Sequence, residues 1–107
     1  MDRVYKLRYL PLFYEDLAEK TLYIAQHLQN PQAASDLLDA VEAALLARRS
    51  NPEAFGRHFS IKERKYPYYR IYVKNFVVYY VLIDEGEDKI MEVRRFLYKR
   101  QDWEQMI

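Results

Sequence analysis

Apolar and polar residues repeat with two different periods along the chain, and the change of period separates helices from strands. Residues 4–9 alternate β-branched, apolar or aromatic residues with basic ones, a period of two that predicts a half-buried strand. Pro11 ends this strand and suits the first turn of a helix, which we expect over residues 12–28. Asn30 and Pro31 have the composition of an N-cap and a first helical position, so a second helix follows after a very short connection. Two helices joined this closely predict an antiparallel helical hairpin.

The second helix has the more regular apolar stripe and ends before the segment Ser50-Asn51-Pro52. Residues 53–65 lack periodicity and are interpreted as a loop. From Tyr66 onward the chain is rich in Tyr, Val, Ile and Phe, which favours strands. The three strands that we predict, and the turns between them, are residues 68–73, 76–83 and 89–98, with turns at Lys74-Asn75 and at 84–88.

These elements predict a single α+β domain over residues 1–107, with the order β-α-α-β-β-β. The last three strands form an antiparallel meander, and the N-terminal helical hairpin packs on one face of the sheet. We expect the other face to be open and to offer a place for a partner. Residues 103–107 are expected to be a short tail.

The composition excludes several kinds of chemistry. The chain has 107 residues, no cysteine and only two histidines, His27 and His58, so thiol nucleophiles, disulfides and multi-histidine metal sites are excluded. We therefore expect no metal and no cofactor. No apolar segment approaches the roughly 20 residues that span a bilayer, and the N-terminus does not resemble a signal peptide. A cytoplasmic location without a membrane partner is expected.

Charge is unevenly distributed although the net charge is only +1. Residues 12–49 carry three basic and six acidic residues, residues 57–74 carry six and one, and residues 94–100 carry four and none. We expect the start of the second strand, near Tyr68, and the end of the fourth, near Tyr98, to meet at one end of the sheet. The basic patch formed there, interleaved with tyrosines, would suit phosphate contacts and base stacking, with the acidic turn at the opposite end. The alternative is a solvated basic surface in which the tyrosines only pack the strands.

The last third of the chain resembles a known family. The segment Tyr69-Arg70-Ile71, the hairpin over residues 73–80 and the ending over residues 93–103, taken with the element order, are similar to the RelE/ParE superfamily of toxins from bacterial type II toxin–antitoxin systems. The resemblance implies a growth-inhibiting toxin of an addiction or plasmid-stabilisation module, bound and neutralised by a cognate protein antitoxin. It also implies one of two mechanisms: cleavage of mRNA on the ribosome without a metal, or poisoning of DNA gyrase.

The resemblance further implies which residues act. Arg70 and Arg100 match positions that hold the phosphate in RNA-cleaving members, and Tyr98 is a candidate for stacking or proton transfer. The residues expected to bind RNA are Lys65, Lys74, Arg95 and Lys99. Val77 stands where the best-known RNA-cleaving members have an arginine, and their C-terminal tyrosine has no counterpart here. Our first hypothesis is a ribosome-dependent mRNA endoribonuclease; the alternatives are a gyrase poison without nuclease activity and an inactive antitoxin-binding homologue.

Overall fold

The order of the elements matches the one that the sequence predicts. In the computed structural model, which describes residues 4–53 and 66–101, β1 precedes two helices and three further strands. The elements are β1 (Lys6–Tyr9), α1 (Pro11–Leu22), a π-helical turn (Tyr23–His27), α2 (Pro31–Arg48), β2 (Tyr69–Val73), β3 (Phe76–Glu85) and β4 (Asp88–Tyr98). The first helix therefore ends in a wider turn, in which the Leu28 N–H donates to the Tyr23 carbonyl over 3.1 Å.

The four strands form one mixed sheet in the order β1-β4-β3-β2. The three C-terminal strands are the expected antiparallel meander. Strand β1 joins this meander in parallel to β4, with Lys6 opposite Ile90 and Tyr9 opposite Val93. Strand β4 is thus central, and β1 and β2 are the two edges.

The helical hairpin covers one face of the sheet, as predicted. The α2 residues Leu37, Val41 and Leu45 recur every four positions and are 1–3% exposed. Together with Phe13 of α1 they pack in one cluster with sheet residues such as Phe96. Burial of this stripe is what holds the hairpin on the sheet.

The opposite face is not open, and this expectation was wrong. Its apolar side chains are 0–8% exposed and form a second buried cluster: Tyr68, Val77, Tyr79, Val81, Ile83, Ile90 and Leu97. No helical residue of the described ranges belongs to this cluster. The reason lies in residues 76–83, which are apolar or aromatic at every position and therefore present apolar side chains to both faces.

The prediction of which strand ends meet was also wrong. In a meander, strands two apart run parallel, so the start of β2 and the end of β4 lie at opposite ends of the sheet. The register shows this, because Phe76 pairs with both Val73, at the end of β2, and Tyr98, at the end of β4. The basic residues after β4 therefore meet the Lys74-Asn75 turn rather than the segment before β2, while the acidic turn over residues 84–88 does lie at the end away from Tyr98. Lys65 lies outside the described residues.

Over residues 4–53 and 66–101, the helices are too short or too polar to cross a lipid bilayer.

Candidate nucleic-acid interface

An exposed tyrosine at the end of β2 contacts two cations. Tyr72 is 55% exposed. The Arg70 guanidinium carbon lies 5.4 Å from the centroid of its ring, and the Lys99 Nζ lies 5.4 Å from the same centroid. Both distances are within the range of cation–π attraction. We call these three residues the Tyr72 cluster.

Strand register explains why the cluster forms. Tyr72 pairs with Val77, which pairs in turn with Leu97, so the three side chains share the sheet face that lies opposite the helices. Arg70 lies two residues before Tyr72 on the same strand and shares its face. Lys99 follows β4, where its N–H donates to the Asn75 carbonyl over 3.1 Å and fixes the chain against the β2–β3 turn.

Lys74 adds a third cation at this end of the sheet. It is exposed and occupies the two-residue turn between β2 and β3. Its φ of 55° lies in the left-handed region, which glycine adopts freely and other residues adopt at a cost. The turn therefore carries a charged side chain where glycine or asparagine is usual.

The backbone beneath Arg70 is tied to the end of α2. The Arg48 Nη1 donates to the Arg70 carbonyl over 3.2 Å and to the Tyr80 hydroxyl over 3.0 Å. The Tyr80 hydroxyl in turn donates to the Pro52 carbonyl over 2.8 Å. Burial raises the pKa of Tyr80, although Arg48 opposes the shift. This network holds β2 in place behind the Tyr72 cluster.

Tyr98 and Arg100 line a groove between the end of the sheet and the π-helical turn. The groove has a volume of about 830 Å³ and is also lined by Tyr23, Leu28 and Lys99, among other residues. The Tyr98 ring packs against Phe76, with centroids 4.9 Å apart, and the Nζ of the buried Lys20 of α1 lies 5.1 Å from its centroid. Burial raises the pKa of Tyr98, with smaller contributions from Tyr23 and Glu19. Like any tyrosine hydroxyl, that of Tyr98 is protonated at neutral pH, so it can donate a proton but not accept one there.

The structure brings the predicted site residues together only in part. Arg70 and Lys99 share the Tyr72 cluster, whereas Tyr98 and Arg100 line the groove. Lys99 belongs to both, so the cluster and the groove are adjacent. Tyr72 joins these predicted residues, because its spacing of two from Arg70 in β2 places both on one face.

Arg95 forms an ion pair with Asp16 of α1. It is 8% exposed, and its Nε and Nη2 donate to the two carboxylate oxygens of Asp16 over 2.7 and 3.0 Å. A β-bulge allows this, because Tyr79 pairs with Arg95 and the next residue, Tyr80, pairs with Val93. The skipped residue, Arg94, contacts Glu92 and Tyr68 instead. Arg95, which we expected to bind RNA, thus ties α1 to β4.

Of the two histidines, His27 is in the described part of the chain. His27 stacks on Tyr23 in the π-helical turn, with ring centroids 5.0 Å apart, and His58 lies outside the described residues. Within residues 4–53 and 66–101, no group of three or more His, Asp and Glu residues is arranged to hold a metal ion. The interface thus offers guanidinium and ammonium groups, which neutralise phosphate charge, and a phenol that can donate a proton.

Comparison with known proteins identifies a family. Residues 7–103 match the family model described as the ParE toxin of the type II toxin–antitoxin system parDE. No curated protein matches the chain with significant similarity.

Proposed function

The chain belongs to the ParE toxin family of type II toxin–antitoxin systems, and we propose that it inhibits growth in the cytoplasm by cleaving ribosome-bound mRNA. Membership of the family implies a cognate antitoxin as a partner. The resemblance to RNA-cleaving members of the wider superfamily suggests the ribosome and mRNA as the target.

The Tyr72 cluster is the observation that carries this proposal. An aromatic ring that is 55% exposed and flanked by two cations offers a base-stacking surface beside two phosphate ligands. Proteins that bind single-stranded RNA commonly combine these two features.

The proposed chemistry divides between the cluster and the groove. The RNA 2′-hydroxyl gives its proton to solvent water and attacks the adjacent phosphorus, so that a P–O2′ bond forms and the P–O5′ bond breaks. Arg70 and Arg100 stabilise the extra negative charge on the phosphorus oxygens. Tyr98 protonates the departing 5′-oxygen, since a tyrosine hydroxyl carries its proton at neutral pH.

A translation extract tests the proposal directly. Purified protein is added to an extract translating a defined mRNA, and the cut sites are mapped by primer extension. We expect cuts within codons in the ribosomal A site, and we expect Arg70→Gln or Arg100→Ala to slow cleavage about 10²-fold or more. Lys6→Gln is the control, because Lys6 lies beside the acidic turn, paired with Asp88. Intact mRNA at growth-inhibiting concentrations would exclude the nuclease.

A second candidate, gyrase poisoning without nuclease activity, is favoured by Val77. This residue stands where the best-known RNA-cleaving members have an arginine, and it is 2% exposed in the apolar cluster of the sheet. The family description, a ParE toxin, also suits this candidate. Supercoiled plasmid incubated with gyrase, ATP and the protein would then accumulate linear DNA, and Arg70→Gln would leave toxicity unchanged. If expression of the chain left growth, mRNA and plasmid DNA unaffected, an antitoxin-binding homologue without a toxic activity would remain.

A further inference from the structure

We propose that Tyr72 organises a binding site for a single-stranded polynucleotide, in which Arg70, Lys74 and Lys99 contact successive phosphates. The proposed function supplies only the expectation that the natural ligand is RNA. The site itself is argued from the contacts of Tyr72 and from the backbone of Lys74.

Two cations contact the single ring of Tyr72. Arg70 and Lys99 come from strands that are not neighbours, since β3 lies between β2 and β4. Two positive groups brought together repel each other, and the electron-rich face of an aromatic ring offsets part of that repulsion. Each cation lies 5.4 Å from the centroid of the Tyr72 ring. Tyr72 thus contacts both charges and stabilises their proximity.

The backbone of Lys74 lies in the left-handed region. A lysine with φ 55° costs conformational energy that glycine at the same position would avoid. Backbone strain of this kind clusters at active sites and ligand-binding sites. Lys74 adjoins Asn75, whose carbonyl anchors the backbone of Lys99, so the strained residue borders the Tyr72 cluster.

Acidic residues are absent from the segments of the sequence around these cations. Residues 70–79 and 95–101, which form this end of the sheet, contain no aspartate and no glutamate. These residues therefore supply no carboxylate beside Lys74 and Lys99. An anionic ligand is the natural counterion for such a surface.

The ligand class follows from the exposure of the ring. Tyr72 is 55% exposed, and an unpaired base can stack on it while the flanking phosphates meet the cations. In duplex DNA the bases are stacked on each other, so only the phosphates would be available. We therefore assign the site to a single strand.

Affinity measurements test the role of the ring. The probe is a short single-stranded RNA with a 2′-O-methyl group on every nucleotide, which the proposed cleavage mechanism leaves uncut. We expect Tyr72→Leu to weaken binding about tenfold, because two exposed cation–π contacts are lost, and Tyr72→Phe to stay within about twofold of the wild type. Tyr14→Leu is the matched control, since Tyr14 is 54% exposed on α1, and it is expected to leave affinity unchanged.

The salt dependence of binding tests the cations. Each phosphate contact contributes about 0.7 to the slope of log affinity against log salt for a single strand, so Arg70→Gln, Lys74→Gln and Lys99→Gln should each reduce the slope by about that amount. Lys6→Gln should leave the slope unchanged. A single-stranded DNA probe that binds equally well would support the site and show that the sugar is not read.

Three results would overturn the inference: wild-type affinity in Tyr72→Leu, an equal loss in Tyr72→Phe, or equal affinity for duplex DNA. These results are separate from those that decide the proposed function. RNA binding without cleavage would contradict the nuclease activity and support the binding site. Cleavage of mRNA together with unchanged RNA binding by Tyr72→Leu would support the nuclease and contradict the binding site.

Discussion

Asp16 of α1 and Arg95 of β4 form a buried, two-point ion pair between residues 79 positions apart in the chain. One carboxylate oxygen of Asp16 also accepts the Phe96 N–H over 3.0 Å. The β-bulge at Arg94 brings Arg95 to this partner. A single carboxylate therefore fixes the position of α1 against the strand that leads to Tyr98.

Loss of one partner of this pair should be costly. We expect Asp16→Ala to lower the free energy of unfolding by about 3–5 kcal/mol, because it leaves the Arg95 guanidinium buried without its carboxylate. Urea unfolding followed by circular dichroism measures the change. The double variant Asp16→Leu/Arg95→Met is the control, and it should recover most of the loss because no uncompensated charge remains. A cost below about 1 kcal/mol for the single variant would show that the pair does not tie α1 to the sheet.

Glu92 should make stability depend on pH. Burial alone raises the pKa of this carboxyl, but hydrogen bonds from Arg8 and Arg94, each 2.8 Å long, outweigh burial and hold its pKa below the usual value. A lowered pKa in the folded state means that ionised Glu92 stabilises the fold above the unfolded-state pKa, near 4.3, and that this contribution is lost as the pH falls through the folded-state value.

The comparison of wild type with Glu92→Gln isolates this contribution. We expect the wild type to be more stable at pH 7, and the difference between the two proteins to shrink as the pH falls from about 5 to about 3. Thermal unfolding across this range measures it. Asp88→Asn, which removes an exposed ion pair with Lys6, should change stability by less than about 1 kcal/mol at either pH. A difference that stays constant with pH would contradict the assignment.

Lys74 is expected to strengthen RNA binding while lowering the free energy of unfolding. Lys74→Gly is expected to raise the free energy of unfolding by about 0.5–1 kcal/mol, since glycine adopts the left-handed backbone without strain, and to weaken RNA binding. Lys74→Ala removes the charge but keeps the strain, so it should weaken binding without the gain in stability. Gln29→Gly is the matched control, because Gln29 has a similar φ of 51° away from the interface. A fall in stability in Lys74→Gly would contradict the strain argument.

Asn30 should stabilise the start of α2. Its Oδ1 accepts the Ala33 N–H over 3.0 Å, as expected of an N-cap. We expect Asn30→Ala to cost about 1 kcal/mol, measured by urea unfolding, and Asn30→Asp to keep most of the stability because aspartate caps equally well. If both variants lost the same amount, the cap would not be the cause.

The sequence alone determined the elements and their order. Spacing and end signals predicted both helices, the three C-terminal strands and the Asn30 cap, because these depend on residues within a few positions of one another. The unbroken apolar run over residues 76–83 also indicates that both faces of the sheet are buried, because successive side chains of a strand point to opposite faces.

Only the tertiary structure decided which side chains meet. The predicted antiparallel meander by itself places Tyr98 beside the Lys74-Asn75 turn, whereas the contact between Lys99 and Tyr72 across β3 became visible only in the register. A one-residue bulge likewise makes Arg95, an expected RNA contact, the partner of Asp16. These contacts depend on register and on pairings between residues far apart in the chain, which local periodicity does not encode.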